Sequence, residues 1–174
     1  MNNGIMNRQD RMTYGEQNFE KYILPLVQNK FPGVWHSCNG QPLDYEHGID
    51  YVVMNGASMT TIAARVWKGM PRQHFALRWK RTSDPFRQLE LGSRLDALHN
   101  GGLLSDWTIE GFHFNGTSYI AMIPTIKLLE CVDKHFEFLP KFIIRNQQDH
   151  TIFKKVPFLD YGLEDHIEKI IEKI

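Results

Sequence analysis

Asp50 is the residue whose chemistry most needs explaining. It follows Gly48-Ile49 and opens the apolar run Tyr51-Val52-Val53-Met54. A carboxylate in such a strand is costly to bury unless a metal ion, an arginine or a set of hydrogen bonds compensates it; otherwise it is a structural residue at a strand start. No further acid occurs until Asp84, and Glu90 is the one after that. Glu90 stands in a helical stretch with Arg87 at i−3 and Arg94 at i+4. It is either a second functional carboxylate or an ordinary ion-pair partner on a helix surface. Glu16 closes Thr13-Tyr14-Gly15-Glu16, the S/T-x-x-E form of a capping box, which accounts for it as a helix cap worth about 1 kcal/mol.

Twenty Lys and Arg balance twenty Asp and Glu, so the chain as a whole has no net charge to draw it to nucleic acid. The distribution differs. From Arg65 to Arg94, eight basic residues, among them Arg65, Lys68, Arg78, Lys80, Arg81 and Arg87, are set against only Asp84 and Glu90, a local +6. Screening confines each charge to about 8 Å at physiological salt, so phosphate binding needs such a cluster; a solvated strand and helix surface would carry the same residues. Arg78 and Lys80 share a strand face by two-residue alternation. They either extend a phosphate-contacting surface from Arg65 or guard a strand edge against aggregation.

Other chemistries lack support. The eight histidines form no HxH, HExxH or HxxxH pattern, and Cys38 and Cys131 stand far apart with no CxxC, which argues against a zinc site or a disulfide framework. No Walker loop, GxGxxG or GxSxG occurs. The N-terminal residues are polar where an export signal would be apolar, so a cytosolic chain is expected, and no apolar run approaches the roughly 20 residues of a membrane span.

The length of 174 residues and the 42% hydrophobic content suit one domain. After a flexible leader over 1–12, Phe19, Tyr22, Ile23, Leu26 and Val27 recur at spacings of three and four and predict a helix. Pro25 kinks or shortens it, and Phe31-Pro32-Gly33 ends it. Val34–Ser37 is a short extended piece. Gly48–Met54 and Thr60–Trp67, joined at Asn55-Gly56, predict a hairpin, and His74–Arg81 a third antiparallel strand. Ser83-Asp84-Pro85 predicts the start of a second helix, striped by Leu91, Leu95 and Leu98 and ended by Asn100-Gly101-Gly102. Trp107–Phe114 and Thr117–Ile123 form another hairpin about Asn115-Gly116, followed by a helix over Thr125–Lys134. Residues 136–161 show no clear period. Leu163, Ile167, Ile170, Ile171 and Ile174 line one side of an expected terminal helix, packed on its own domain or on a second copy.

This order of helix, three strands, helix and strand, with Gly15-Glu16 in the first helix, Gly48-Ile49-Asp50 at one strand and Ile62-Ala63-Ala64-Arg65-Val66 on the next, resembles the restriction-endonuclease-like PD-(D/E)XK superfamily over roughly residues 13–122. The resemblance implies an α/β (α+β) fold with a central mixed sheet flanked by helices: an αβββαβ core over 13–135 and a C-terminal helical extension over 136–174. It further implies action on nucleic acid, with Asp50 and a second carboxylate holding magnesium or manganese. Such an ion neutralises charge on the phosphoryl oxygens and lowers the pKa of the attacking water. The chain departs from the pattern at E-x-K, where Ala63-Ala64-Arg65 stands. Glu90 on the second helix is then the candidate second ligand, and Arg65, which keeps its proton, clamps phosphate or orients water.

Three functions are therefore expected. One is a magnesium-dependent nuclease using Asp50, Glu90 and Arg65, with Lys68, Arg78, Lys80, Arg81 and Arg87 contacting nucleic acid. Another is an inactive nuclease-like phage or mobile-element protein that binds nucleic acid or inhibits a host protein complex. The third is an interaction module that forms a homodimer through the terminal helix.

Overall fold

Pro25 offers no N–H to a helix, and the first helix absorbs that loss in a wider turn. The computed structural model describes residues 15–84, 86, 89–145 and 150–173. Helix α1 (residues 15–27) carries a π turn over Phe19–Ile23, with the Leu24 N–H bonded to the Phe19 carbonyl just before the proline. Thr13 lies outside the described residues.

The chain continues through β1 (Val34–Ser37), α2 (Pro42–His47), β2 (Tyr51–Asn55), β3 (Ser58–Lys68), β4 (His74–Arg81), α3 (Glu90–Asn100), β5 (Trp107–Phe114) and β6 (Thr117–Pro124). It ends with α4 (Thr125–His135), β7 (Lys141–Arg145), β8 (His150–Pro157), a 3₁₀ turn over Glu164–His166 and β9 (Glu168–Lys173). The fold is mixed α/β. A six-stranded mixed sheet has the order β1-β2-β3-β5-β6-β9, and a separate three-stranded sheet the order β4-β8-β7. All pairs are antiparallel except β3 with β5, where the chain crosses over through α3. Among the described residues no helix is long and apolar enough to cross a membrane.

Period-two alternation gives the large sheet two faces. Tyr51, Val53, Ile62, Ile109, Ile120 and Met122 bury one face under Phe19, Ile23 and Val27 of α1. Ala121 and Ile123 point the other way, into a second core with Phe75 and Leu77 of β4, Leu91 of α3, and Leu128, Leu129 and Val132 of α4. Asp50, Arg65 and Glu110 alternate with the α1-facing residues and so belong to this second side. Lys154 on β8 is 1% exposed; its Nζ donates to the Phe136 and Leu139 carbonyls just beyond α4, ending that helix with a cation.

Three expectations need correction. The strand at His74–Arg81 has the expected bounds but does not join the first hairpin, because β2 and β5 already occupy both edges of β3; β4 pairs with β8 instead. The second helix begins at Glu90, not near Asp84, although its end at Gly101 (φ 69°) stands; Pro85 lies outside the described residues. The C-terminal helical extension is instead strands. Residues 168–173 pair with Met122–Thr117 of β6, whose edge would otherwise be left open. The β-branched isoleucines suit that edge: Ile170 packs toward α1 while Ile171 is 66% exposed. A homodimer through a terminal helix loses its basis, since no helix forms there.

Candidate functional site

Gly48 lets the site assemble. It ends α2 in the left-handed region (φ 64°), where glycine is free and other residues are strained. A Cβ at this position would stand 3.1 Å from Arg94 Nη2, which donates to the Gly48 carbonyl at 3.1 Å. Two residues on, Asp50 bridges to β3. Its N–H donates to the Ile62 carbonyl at 2.9 Å. The β2–β3 ladder stops at Tyr51 and Ile62, so Asp50 Oδ2 takes the next inward-facing donor, the Ala64 N–H, at 2.7 Å. Burial pushes the Asp50 carboxyl up to about 7 despite that hydrogen bond; Asp44 and Glu90 push the same way and Arg94 opposes them.

Glu90, the first residue of α3, is held by three guanidiniums. Arg65 Nη2 bonds Oε2 at 2.5 Å, Arg78 Nε reaches the same oxygen at 3.2 Å, and Arg94 Nη2 lies 3.3 Å from Oε1. Burial alone would raise its pKa, but the arginines hold the carboxyl well below the usual range. The ion-pair reading of Glu90 thus has a physical basis, in a buried network instead of on a helix surface.

Glu110 on β5 joins the site although it is not among the residues expected from the sequence. It is 2% exposed and sits beside Arg65 in the β3–β5 register. Its Oε1 accepts the Ala76 N–H at 2.6 Å and its Oε2 the Trp67 Nε1–H at 3.1 Å. Burial pushes it up to about 7. The signal was available: an acid inside the run Trp107–Phe114 raises the same question of compensation as Asp50.

Glu16 accepts hydrogen bonds from Ser37 Oγ at 2.6 Å and Asn39 Nδ2 at 2.9 Å, which tie α1 to the end of β1. Arg78 and Lys80 do not share a face. The β4 register shifts between them, so Arg78 opposes Phe153 and Lys80 opposes Ile152, neighbours on β8 that point to opposite sides. Arg81, opposite Thr151, returns to the side of Arg78. The Lys80 ammonium lies over the Trp79 ring at 4.5 Å. The side chain of Lys68 and the whole of Arg87 lie outside the described residues.

Asp50, Arg65, Glu90, Arg94 and Glu110 line one cleft of about 730 Å³ together with Glu16, Arg78, Arg81 and Phe153. Five of the expected residues therefore meet: Asp50, Glu90, Arg65, Arg78 and Arg81. Arg94 is 5% exposed and its Nη1 has no hydrogen-bond partner among the described residues, which leaves a buried donor at the cleft. The donor set fits a divalent cation poorly. Glu90 is already neutralised by arginines, β3 carries Ala63 and Ala64 at the E-x-K position, and among the described residues no group of three or more His, Cys, Asp or Glu is gathered to hold a metal.

No protein family model, curated protein or solved structure matches this chain.

Proposed function

We propose that this protein binds nucleic acid through the cleft on a nuclease-like scaffold and does not hydrolyse it. The observation that carries the reading is the capture of Glu90 by Arg65, Arg78 and Arg94. Three cations on Glu90 leave it no free charge with which to hold magnesium, as the second carboxylate of a nuclease would need. Arg78, 53% exposed, and Arg81 contact phosphates, while Arg65 and Arg94 set the potential behind them.

The chain path supports the nuclease-like part of the reading. With α2 set aside as an insertion between β1 and β2, and β4 as an excursion into the second sheet, α1, strands β1, β2 and β3, α3 and the parallel β5 follow the αβββαβ order of the restriction-endonuclease-like core. Asp50, immediately before β2, is the residue the resemblance matches to the strand aspartate, and the matching E-x-K position carries no acid.

The test incubates the protein with DNA and RNA in magnesium and in manganese and measures binding across a salt series. Binding that weakens with salt, no cleavage, and a slope shallower by about 1 for Arg78→Ala support the reading. Cleavage abolished by Asp50→Asn would overturn it in favour of the metal-dependent nuclease. Absence of binding at low salt would remove the nucleic-acid role.

A further inference from the structure

The strands of the second sheet, β4, β7 and β8, contain seven lysines and arginines and no aspartate or glutamate. Their pairing puts Arg78, Phe153, Phe142 and Lys155 on one face, the same side from which Arg78 and Phe153 line the cleft. The rings form a row. Phe142 stacks on Phe153 at 5.0 Å with 19° between their planes, and Trp67 meets Phe153 edge-on at 5.7 Å. Cations accompany the row: Arg72 lies 4.5 Å from the Trp67 centroid and 5.4 Å from that of Phe142, and Lys155 is 5.1 Å from the Phe142 centroid. Trp67 and Phe142 are half-buried, so each leaves part of its surface to solvent.

Rings interleaved with cations match a ligand that offers flat apolar faces and regularly spaced anions. A duplex offers the anions but keeps its base faces stacked inside. A single strand offers both. We propose that this face of the second sheet is a binding platform for single-stranded nucleic acid, with bases on Phe142 and Trp67 and phosphates on Arg72, Arg78 and Lys155. The proposal rests on the nucleic-acid reading above and names the substrate class of the same cleft.

Fluorescence anisotropy with a labelled 12-nucleotide oligothymidine and a 12-base-pair duplex at one salt concentration tests it. The expected result is single-strand affinity about tenfold or more above that for the duplex. Phe142→Leu keeps an apolar side chain but removes the ring, and should weaken single-strand binding about fivefold or more with the duplex unchanged. Arg72→Gln leaves the sheet intact and should flatten the single-strand salt slope by about 0.7. Duplex binding equal to or tighter than single-strand binding, or single-strand binding unchanged in both variants, overturns the platform while leaving the nucleic-acid reading in place. Binding to neither probe overturns both.

Discussion

Arg65 and Glu110 lie side by side on β3 and β5 and together hold the backbone of a single residue in the other sheet: Arg65 Nη1 donates to the Ala76 carbonyl at 2.6 Å, and Glu110 accepts the Ala76 N–H at 2.6 Å. Among the described residues only β8 pairs with β4. The two side chains therefore do for the open edge of β4 what a neighbouring strand would do, and they lock the two sheets together. Arg65 also carries Glu90 on its other nitrogen, so one guanidinium fork joins β3, β4 and α3.

This joint depends on fork geometry as well as charge. Arg65→Lys keeps the charge but cannot serve the Ala76 carbonyl and Glu90 together, and is expected to lower stability by about 2 kcal/mol. Arg65→Ala strands buried carboxylates and is expected to cost about 3 to 5 kcal/mol. Urea unfolding checks both; a lysine variant as stable as the parent would contradict the bridging role.

Asp50 stands in the opposite relation to stability. Burial holds its folded pKa at about 7, above the ordinary aspartate value of 3.8. The carboxyl costs nothing where it is protonated in both states, below about pH 4, and the cost grows as pH rises to 7. Asp50→Asn keeps an oxygen for the Ala64 N–H, so it should raise stability by about 2 kcal/mol at pH 8, after allowance for partial solvent contact, and by little at pH 4. Thermal melts at the two pH values decide this; an equal effect at both would show that the carboxyl is not destabilising when ionised.

Glu90 has the reverse sign. Its folded pKa is depressed, so its stabilisation is complete above its ordinary pKa and is lost as pH falls toward the folded value. Glu90→Gln should cost about 3 kcal/mol at pH 7, because it strands Arg65 and Arg94, and the gap from the parent should narrow in acid. A gap that widens in acid would contradict the network.

Gly111 on β5 lies directly beneath α1: a Cβ there would come within 2.7 Å of Ile23 Cδ1, and Ile23 is fully buried. Gly111→Ala should destabilise by about 1 to 3 kcal/mol. Adding Ile23→Val, which removes that methyl group, should recover part of the loss; a strictly additive double variant would place the strain elsewhere.

The C-terminal segment separates strand from helix by hydrogen exchange. β9 pairs on one side only, with β6, so alternate amides over residues 168–173 should be protected. Protection at every consecutive amide would mean a helix.

Local pattern in the sequence was enough for the elements that stand alone. The Asn115-Gly116 hairpin, the Gly101 helix end and the bounds of His74–Arg81 follow from turn chemistry and two-residue alternation, and Asp50 was legible as a carboxylate in need of compensation. Which partner each edge and each charge finds depends on residues far apart in the chain, and only the tertiary structure decided that. Ile170 and Ile171 fit either a helix stripe or a strand until the unpaired edge of β6 chose the strand. Glu90 has ion-pair spacing with Arg94, but Arg65, 25 residues away, and Arg78, 12 away, turn a surface pair into a buried hub. A bulge of one residue moved Lys80 off the face of Arg78, because alternation holds only while the register is unbroken.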